Sequence, residues 1–369
     1  MKGDSYILDY RNYGYFGDLT LGWKNLLFLE LTGRNDLTST LSRDNRSYFY
    51  PSASLSYIFS DMFKLPGWWS YGKLKLSYAQ IGKDGDAYAI TNGFETGDPI
   101  GTTVPFYQSR TLGNDKLRPE FTNTSEIGTE LRFLDNRLGL EVNAYQQKSK
   151  DLLVPVYVSN ATGYDQAYVN AGEINNKGLE VTVTAMPVRR KDFSWDFKIN
   201  FSTNRNRVIR LNEQQGAELK EIVISSQYGY LSSTVTSKLV PGMAYGALYG
   251  RSYKRYYPKD DDDGVTLRKD LPLLIGANGF PILDDVTNQR YLGSTLPKWM
   301  GSTLQTFRYK NFTLSLLLDV RQGQYKYNQL SNFLAAFGES KITENRNQTI
   351  VFDGVLAEES RFPGPKHRT

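Results

Sequence analysis

The sequence predicts an all-β protein, a partial transmembrane antiparallel β-barrel of about ten to twelve strands. Three observations support this fold class. Apolar and polar residues alternate along most of the chain, no charged residue is assigned to an apolar face, and short and long connections follow one another in turn. A period of two is typical of strands that have one face in an apolar environment and the other in water.

Segment 192–203 shows the pattern that defines each predicted strand. Phe193, Trp195 and Phe197 share one face of this segment, while Asp196 and Lys198 lie on the other. The segment at 298–309 alternates less clearly than the others. In chain order, the predicted strands are 18–24, 26–34, 50–60, 72–80, 125–133, 137–147, 177–188, 192–203, 298–309 and 311–321.

Charged residues of these segments gather on the polar faces. An Arg or Lys that faces lipid at the bilayer midplane costs roughly 2–4 kcal/mol. We therefore expect the apolar faces to contact lipid and the polar faces to line a water-filled lumen. The charged residues on the polar faces include Glu30, Arg34, Lys73, Lys75, Glu126, Glu130, Arg132, Glu141, Asp196, Lys198, Asp319 and Arg321.

The connections between predicted strands alternate strictly in length. The short connections are 24–25, 61–71, 135–136, 189–191 and 310, and the long ones are 35–49, 81–124, 148–176 and 204–297, with another opening at 322. Short periplasmic turns and long extracellular loops are typical of outer-membrane barrels, whereas Greek-key sandwiches do not alternate so regularly. The stretch 204–297 is long enough for a further hairpin at about 222–236 and 243–253, which would keep the alternation.

Aromatic residues gather at the strand ends beside the short connections. Amphipathic rings favour the headgroup zone of a membrane, so we interpret these residues as an interfacial girdle. The alternative is the ordinary enrichment of Tyr and Trp in β-sheets. The residues are Trp68, Trp69, Tyr71, Phe133, Phe193, Trp195, Phe307, Tyr309 and Phe312.

Composition excludes several classes of function. The chain has no Cys and a single histidine, His367, so disulfides, thiolate metal sites and histidine-based catalytic triads have almost no residues to use. Its 44 Lys and Arg against 39 Asp and Glu give a net charge of only +5 without an extended basic face, which disfavours nucleic-acid binding. No run of 18 apolar residues predicts a transmembrane helix, and the first residues lack the apolar core of a signal peptide.

Several collinear segments resemble one family closely. They are LFLELTGRND (27–36), NRSYFYPSASLSYIFSD (45–61), YGKLKLSYAQIGKD (71–84), LRPEFTNTSEIGTELRFLDNRLGLEVNAYQQKSKDLL (117–153), NAGEINNKGLEVTVTAMPV (170–188), WDFKINFSTNRNRVIRL (195–211), YGALYGRSYKR (245–255), YLGSTLPKWMGSTLQTFRYKNFTLSLLLDVRQG (291–323) and NRNQTIVFDGV (345–355). On these segments the chain resembles the SusC/RagA-type TonB-dependent transporters of the Bacteroidetes outer membrane.

The resemblance implies a nutrient importer of the Gram-negative outer membrane rather than an enzyme. Such transporters form a 22-stranded barrel closed by an N-terminal plug. They import ligands too large for porins, commonly oligosaccharides and in some members peptides. The implied partners are a SusD-like surface lipoprotein, the TonB–ExbB–ExbD complex acting through the plug, and outer-membrane lipid. No cofactor is implied.

The chain also departs from the family pattern. We assign residues 1–369 to a partial barrel and find no signal peptide, plug or closing strands in the sequence. An open half-barrel leaves unpaired strand edges, which lipid cannot satisfy. We therefore expect this polypeptide alone not to form a working transporter.

The acidic run Asp260–Asp263 is the most conspicuous candidate for metal chemistry. Asp261, Asp263 and Gly264 fit positions three, five and six of a calcium loop, and Asp270 fits position twelve. The first ligand would be Lys259, which cannot coordinate a cation, so a solvated loop tip is the competing interpretation. We name no metal ligand on this basis.

Other candidate residues have simple structural explanations. The carboxylates Glu126, Glu130 and Glu180 could suggest glycosidase chemistry, but alternation along a lumen wall explains them, and no catalytic motif accompanies them. Loop tyrosines could stack on sugar rings or pack the loops together; they are Tyr157, Tyr164 and Tyr168. No catalytic, cofactor-binding or ligand-binding residue is assigned.

Two further functions remain open at this point. The chain could be a surface or secreted β-rich glycan-binding protein without transport, or an outer-membrane enzyme. Loop alternation and charge-free faces favour the importer over the binding protein. The lack of a usable histidine and of catalytic motifs disfavours the enzyme.

Overall fold

A computed structural model describes residues 9–211, 213–214, 217–228, 234–257, 262–285 and 288–357. By its internal contacts the chain divides into two units. The first comprises 1–222, 240–245 and 297–323, and the second comprises 223–239, 246–296 and 324–369. No described helix is both long enough and apolar enough to cross a membrane.

Ten antiparallel strands form the main sheet of the first unit, and each pairs with the next along the chain. They are β1 (Asn12–Trp23), β2 (Leu27–Thr38), β3 (Ser47–Tyr57), β4 (Trp69–Lys83), β5 (Glu120–Phe133), β6 (Leu138–Lys150), β7 (Glu173–Arg189), β8 (Phe193–Arg210), β9 (Trp299–Tyr309) and β10 (Phe312–Gln322). All ten predicted strands are confirmed, including the weakly alternating one at 298–309. Among the described residues, β1 and β10 are the edges of this sheet.

The register keeps the predicted faces together across the sheet, because directly paired residues of neighbouring strands point to the same side. We call the two sides the apolar face and the polar face. One row of the apolar face is Leu74, Thr129, Val142, Val181, Phe201, Gly301 and Val320. The neighbouring row of the polar face is Lys73, Glu130, Glu141, Thr182, Asn200, Ser302 and Asp319.

The short connections lie at one end of the sheet, and three of the five contain residues in the left-handed region. Lys24 and Asn25 have φ of 49° and 55°, and the Leu26 amide donates to the Trp23 carbonyl at 2.9 Å. This is the geometry of a type I′ turn, which matches the twist of an antiparallel hairpin. Leu134, Asp135 and Asn136, and then Lys310, also have positive φ in later turns.

The strands extend beyond the predicted bounds, mainly toward the long connections. β8 ends at Arg210 rather than at 203, and β5 begins at Glu120 rather than at 125. The predicted connection 61–71 is also shifted, because β4 begins at Trp69 and Phe59–Asp61 forms a 3-10 turn. The added residues are mostly polar on both faces, so no period-two signal marks the ends of these strands.

The long connections of the first unit carry their own small strands. In chain order these are Phe94–Thr96, Phe106–Gln108, Thr111–Leu112, Leu153–Tyr157, Gln166–Asn170, Glu213–Gln214 and Ala217–Glu218, with a 3-10 turn at Asn160–Thr162. The strand Gln166–Asn170 pairs with both Leu153–Tyr157 and Thr111–Leu112, and so joins two different connections.

The prediction of a further barrel hairpin within 204–297 is wrong. The strands Ile222–Tyr228, Thr234–Leu239, Ala247–Gly250 and Arg290–Ser294 form a separate four-stranded sheet, and β8 pairs directly with β9. Leu239, Ala247 and Tyr249 are buried on strands of this smaller sheet, so the apolar residues of the stretch do not mark barrel strands. The described remainder of that unit contains strands Leu273–Ile275 and Gly354–Leu356, helix Gln329–Ala336 and a 3-10 turn at Lys341–Thr343.

Candidate functional site

The polar face of the ten-stranded sheet is the candidate functional surface. Amide and hydroxyl side chains hydrogen-bond across neighbouring strands along its rows. Thr182 donates to Asn200 at 3.1 Å, and Asn200 donates to Ser302 at 3.1 Å. Thr32 and Ser52 approach to 2.6 Å on the same face. Neutral donors and acceptors therefore cover much of this wall, as expected of a surface in contact with water.

An ionic cluster lies on β4, β5 and β6 of the polar face, near the short connection between β5 and β6. Glu130 and Glu141 are directly opposite one another on β5 and β6. Lys75 on β4 reaches both carboxylates, at 4.0 and 3.2 Å respectively, and Arg132 binds Glu130 at 2.7 Å. Because like charges that face each other across strands are unfavourable, the two cations compensate the carboxylate pair.

The predicted carboxylates all lie on this face. Glu126 pairs in register with Ser77 and Tyr145, and Glu180 pairs with Asn143 and Ser202. Glu180 also lines a shallow cavity of about 320 Å³ between β7 and β10. The other polar side chains around that cavity are Thr182, Asn200, Ser202, Ser302, Asp319 and Arg321.

At the long-connection end, two carboxylates, the buried Asp36 and the half-buried Asp84, anchor the chain. Asp36 accepts from Arg34 Nε at 2.8 Å and from the Tyr50 hydroxyl at 2.6 Å. Asp84 accepts from the Thr38 hydroxyl at 2.5 Å and from the Thr40 hydroxyl at 3.0 Å. These bonds fix the starts of the connections that follow β2 and β4.

The predicted loop tyrosines have different roles. Tyr168 packs against a small core of Leu41, Ala89 and Leu117, so it holds the loops together. The Tyr164 hydroxyl accepts a hydrogen bond from the Gln108 side chain. Tyr157 remains 56% exposed.

Sequence reasoning missed the most exposed rings of these loops. Phe94 and Phe106 lie on a two-stranded hairpin, and both are at least 70% exposed. The hairpin strands Phe94–Thr96 and Phe106–Gln108 have only three residues each. Such short strands give no detectable alternation, so the sequence offered no signal for them.

The described part of the acidic run is occupied by internal partners. Arg290 binds Asp262 through both guanidinium Nη atoms, and this hydrogen bonding lowers the pKa of Asp262 to about 2. The Asp263 carboxylate accepts from the Thr266 hydroxyl at 2.6 Å, which lowers the pKa of Asp263. Arg268 binds Asp270 at 2.7 Å and lowers the pKa of Asp270 to about 2.

No group of three or more potential metal ligands occurs among the residues that the structure describes. Lys259, Asp260, Asp261 and His367 lie outside those residues.

Comparison with known proteins gives consistent matches. A family model described as "TonB dependent receptor-like, beta-barrel" matches residues 3–349. The TonB-dependent receptor P26 of Formosa agariphila is 29% identical over 330 residues, which cover 85% of this chain and 32% of that protein. The TonB-dependent receptor SusC of Bacteroides thetaiotaomicron is 26% identical over 323 residues, 85% of this chain and 31% of that protein.

A solved structure of the RagAB peptide transporter superposes with a TM-score of 0.66 at 20% identity, covering 84% of this chain and 33% of that chain. At this identity the match shows the shared fold alone. The chain spans about a third of the length of the relatives that it matches.

Proposed function

Because the chain belongs to the TonB-dependent receptor β-barrel family, we propose that it forms barrel wall in a SusC-type importer of the outer membrane. The observation that carries the proposal is the ten-stranded antiparallel sheet, in which one face is apolar and the other hydrogen-bonded and ionic. All five short connections lie at one end of this sheet, as in barrels with periplasmic turns.

The aromatic residues of the apolar face support a membrane crossing. Tyr15 and Trp23 on β1 lie eight residues apart, as do Phe49 and Tyr57 on β3 and Trp299 and Phe307 on β9. Eight residues span about 27 Å along a strand, or about 20 Å of height at a tilt of roughly 40°. This height is close to the ~25 Å apolar band of outer-membrane barrels, so the two aromatic levels fit two interfaces.

The proposal assigns residues 1–369 to the barrel part of the importer. The edges at β1 and β10 would pair with further strands of the complete barrel, because unpaired backbone groups cannot face lipid. A plug would contact the polar face and couple it to TonB–ExbB–ExbD. A SusD-like lipoprotein would cover the long connections.

For the substrate class, we propose oligosaccharides first and peptides second. The neutral amide and hydroxyl rows of the polar face suit a ligand with many hydroxyl groups. The mixed charges there, such as Lys75 with Glu141, favour neither a strongly anionic nor a strongly cationic substrate. Growth of a strain lacking the gene on single oligosaccharides and on peptides would distinguish the two classes.

A matched pair of arginine substitutions tests the assignment of the faces. Val183 lies on the apolar face and Thr182, its neighbour, lies on the polar face. In the complete gene product, Val183→Arg should lower the stability of the barrel by roughly 2–4 kcal/mol. Less folded barrel should therefore be recovered from the outer membrane. Thr182→Arg should cost much less, because its side chain reaches water.

Membrane fractionation and heat-modified migration on gels provide the measurement. Outer-membrane recovery that requires detergent supports the importer. A complete gene product that is soluble would contradict it and favour a glycan-binding protein. Equal effects of the two arginine variants would contradict the assignment of the faces.

A further inference from the structure

A cluster of cations lies on the apolar side of the sheet, just beyond the apolar band. Lys177 on β7 and Arg205 on β8 are directly paired in register. In the next row toward the long connections, Lys148 on β6 and Arg207 on β8 flank Asn175. We call these four residues the outer basic cluster. All four side chains are exposed.

The register places this cluster on the same face as the apolar rows. Leu179 and Ala144 form the last apolar row, and Lys177 follows two residues beyond Leu179 on the same strand. On the opposite face, next to the row of Asn175, the paired residues Ile174 and Val208 are buried, so that side of the strands is covered by protein. The expectation that this side of segment 177–188 is free of charge therefore holds from Leu179 but is wrong at Lys177.

The cluster is unfavourable without an external anion. Like charges directly opposite one another on neighbouring strands destabilise a sheet. Among the residues that the structure describes, no carboxylate lies within ion-pair distance of Lys148, Lys177 or Arg205. A third row adds Lys150 and Arg210 on either side of Glu173, which binds Arg210 at 3.5 Å. Arg207 Nε donates to the Gly242 carbonyl at 3.0 Å, which leaves its Nη groups available for a ligand.

The position of the cluster matches the depth of lipid headgroups. The first two rows lie two and four residues past the last apolar row, or about 5–11 Å higher for a tilted strand. Headgroup regions add roughly 5–8 Å to each side of the hydrocarbon core. In the same two rows, the adjoining strands β5 and β4 carry Ser125 and Tyr78, then Asn123 and Gln80, instead of cations. The positive charge is therefore confined to three adjacent strands.

We propose that the outer basic cluster binds the phosphate groups of a phosphorylated lipid in the outer leaflet. The paired Lys177 and Arg205 supply the charge nearest the acyl chains, and Lys148 and Arg207 supply the charge above them. Guanidinium groups bind phosphate oxygens in bidentate geometry, and ammonium groups add point charge. This inference rests on the proposed membrane orientation, with the long connections outside.

The test uses the complete, delipidated protein in detergent and native mass spectrometry. The probes are bisphosphorylated lipid A, the same lipid without phosphates, and inorganic phosphate. The triple variant Lys148→Gln, Lys177→Gln, Arg205→Gln should bind lipid A on the order of 100-fold more weakly, at about 1 kcal/mol per charge near a membrane surface. The lipid without phosphates should bind the wild-type protein about as weakly as lipid A binds the triple variant.

The matched control removes the same charge at the other rim, with Lys24→Gln, Lys191→Gln and Lys310→Gln in the short connections. This variant should keep wild-type lipid binding. A charge-preserving variant, Lys148→Arg, Lys177→Arg, Arg205→Lys, should also keep it and provides the test if the neutral variant does not fold. Equal lipid A binding by all variants would overturn the inference.

Inorganic phosphate that displaces the lipid at millimolar concentration would also overturn it, in favour of a site for free anions. Outer-membrane recovery and heat-modified migration are measured on the same samples. A barrel that is recovered in the outer membrane but shows no phosphate-dependent lipid binding contradicts only this inference. A soluble wild-type protein contradicts the proposed function itself.

Discussion

At the scale of single residues, glycines let large side chains of neighbouring strands lie flat on the polar face. A Cβ added at Gly178 would lie 2.2 Å from Tyr145 Cζ, although the two residues are paired in register on β7 and β6. The Tyr145 ring thus covers the Gly178 backbone. At Gly17 on β1, an added Cβ would meet no atom within 4 Å.

We predict that Gly178→Ala destabilises the barrel and Gly17→Ala does not. The new methyl group must push the Tyr145 ring off the strand, and such overpacking typically costs about 1–3 kcal/mol. The midpoint of heat-modified migration measures the effect. Adding Tyr145→Ala to Gly178→Ala should recover part of the loss, whereas an unchanged midpoint in Gly178→Ala would contradict the packing argument.

At the scale of elements, the insertion between β8 and β9 depends on one buried arginine. The Arg290 side chain is only 7% exposed and binds Asp262. Its Nε atom also lies 3.5 Å from the carboxylate of Asp284, whose side chain is 4% exposed. Ser252 and Asn288 also donate to Asp284, each at 3.2 Å. Arg290 therefore connects three segments of the second unit.

We predict that Arg290→Gln opens the strands 247–250 and 290–294 locally. Removing the guanidinium leaves Asp284 buried without its cation, which typically costs about 3–5 kcal/mol. The matched control is Arg268→Gln, because the Arg268–Asp270 pair is exposed and such pairs contribute about 0–1 kcal/mol. Amide hydrogen exchange of the two strands gives the measurement, and equal protection in both variants would contradict the prediction.

The ion pair between Arg290 and Asp262 makes the stability of this insertion sensitive to acid. Hydrogen bonding from Arg290 lowers the pKa of Asp262 from 3.8 to about 2. A lowered carboxyl pKa stabilises the folded state above the unfolded value, and this stability is lost as pH falls toward the folded value. We predict that protection of these strands falls between about pH 4 and pH 2 in wild type, and that Arg290→Gln reduces this dependence. A flat wild-type profile would contradict it.

At the scale of the whole molecule, the ten-stranded sheet has two edges, β1 with 12 residues and β10 with 11. In lipid, each unpaired backbone group on such an edge costs several kcal/mol. We predict that a polypeptide with only these ten strands forms inclusion bodies and gives no heat-modified barrel. The complete gene product, prepared in parallel, is the control, and a protease-resistant barrel from the ten strands alone would contradict the prediction.

The sequence by itself determined the ten strands, their faces and the end of the sheet that carries the short turns. Each of these follows from local order, because alternation assigns a residue such as Trp195 or Lys198 to a face without reference to any distant partner. Family membership was also accessible, since collinear strand segments carry it.

Only the tertiary structure decided the contacts between residues far apart in the chain. It placed the insertion 222–294 outside the main sheet, paired Asp262 with Arg290, and packed Tyr168 against the core that contains Leu41. It also brought Lys148, Lys177 and Arg205 together from three strands. Strand register and loop packing arise from side chains that meet only after folding, so no local pattern encodes them.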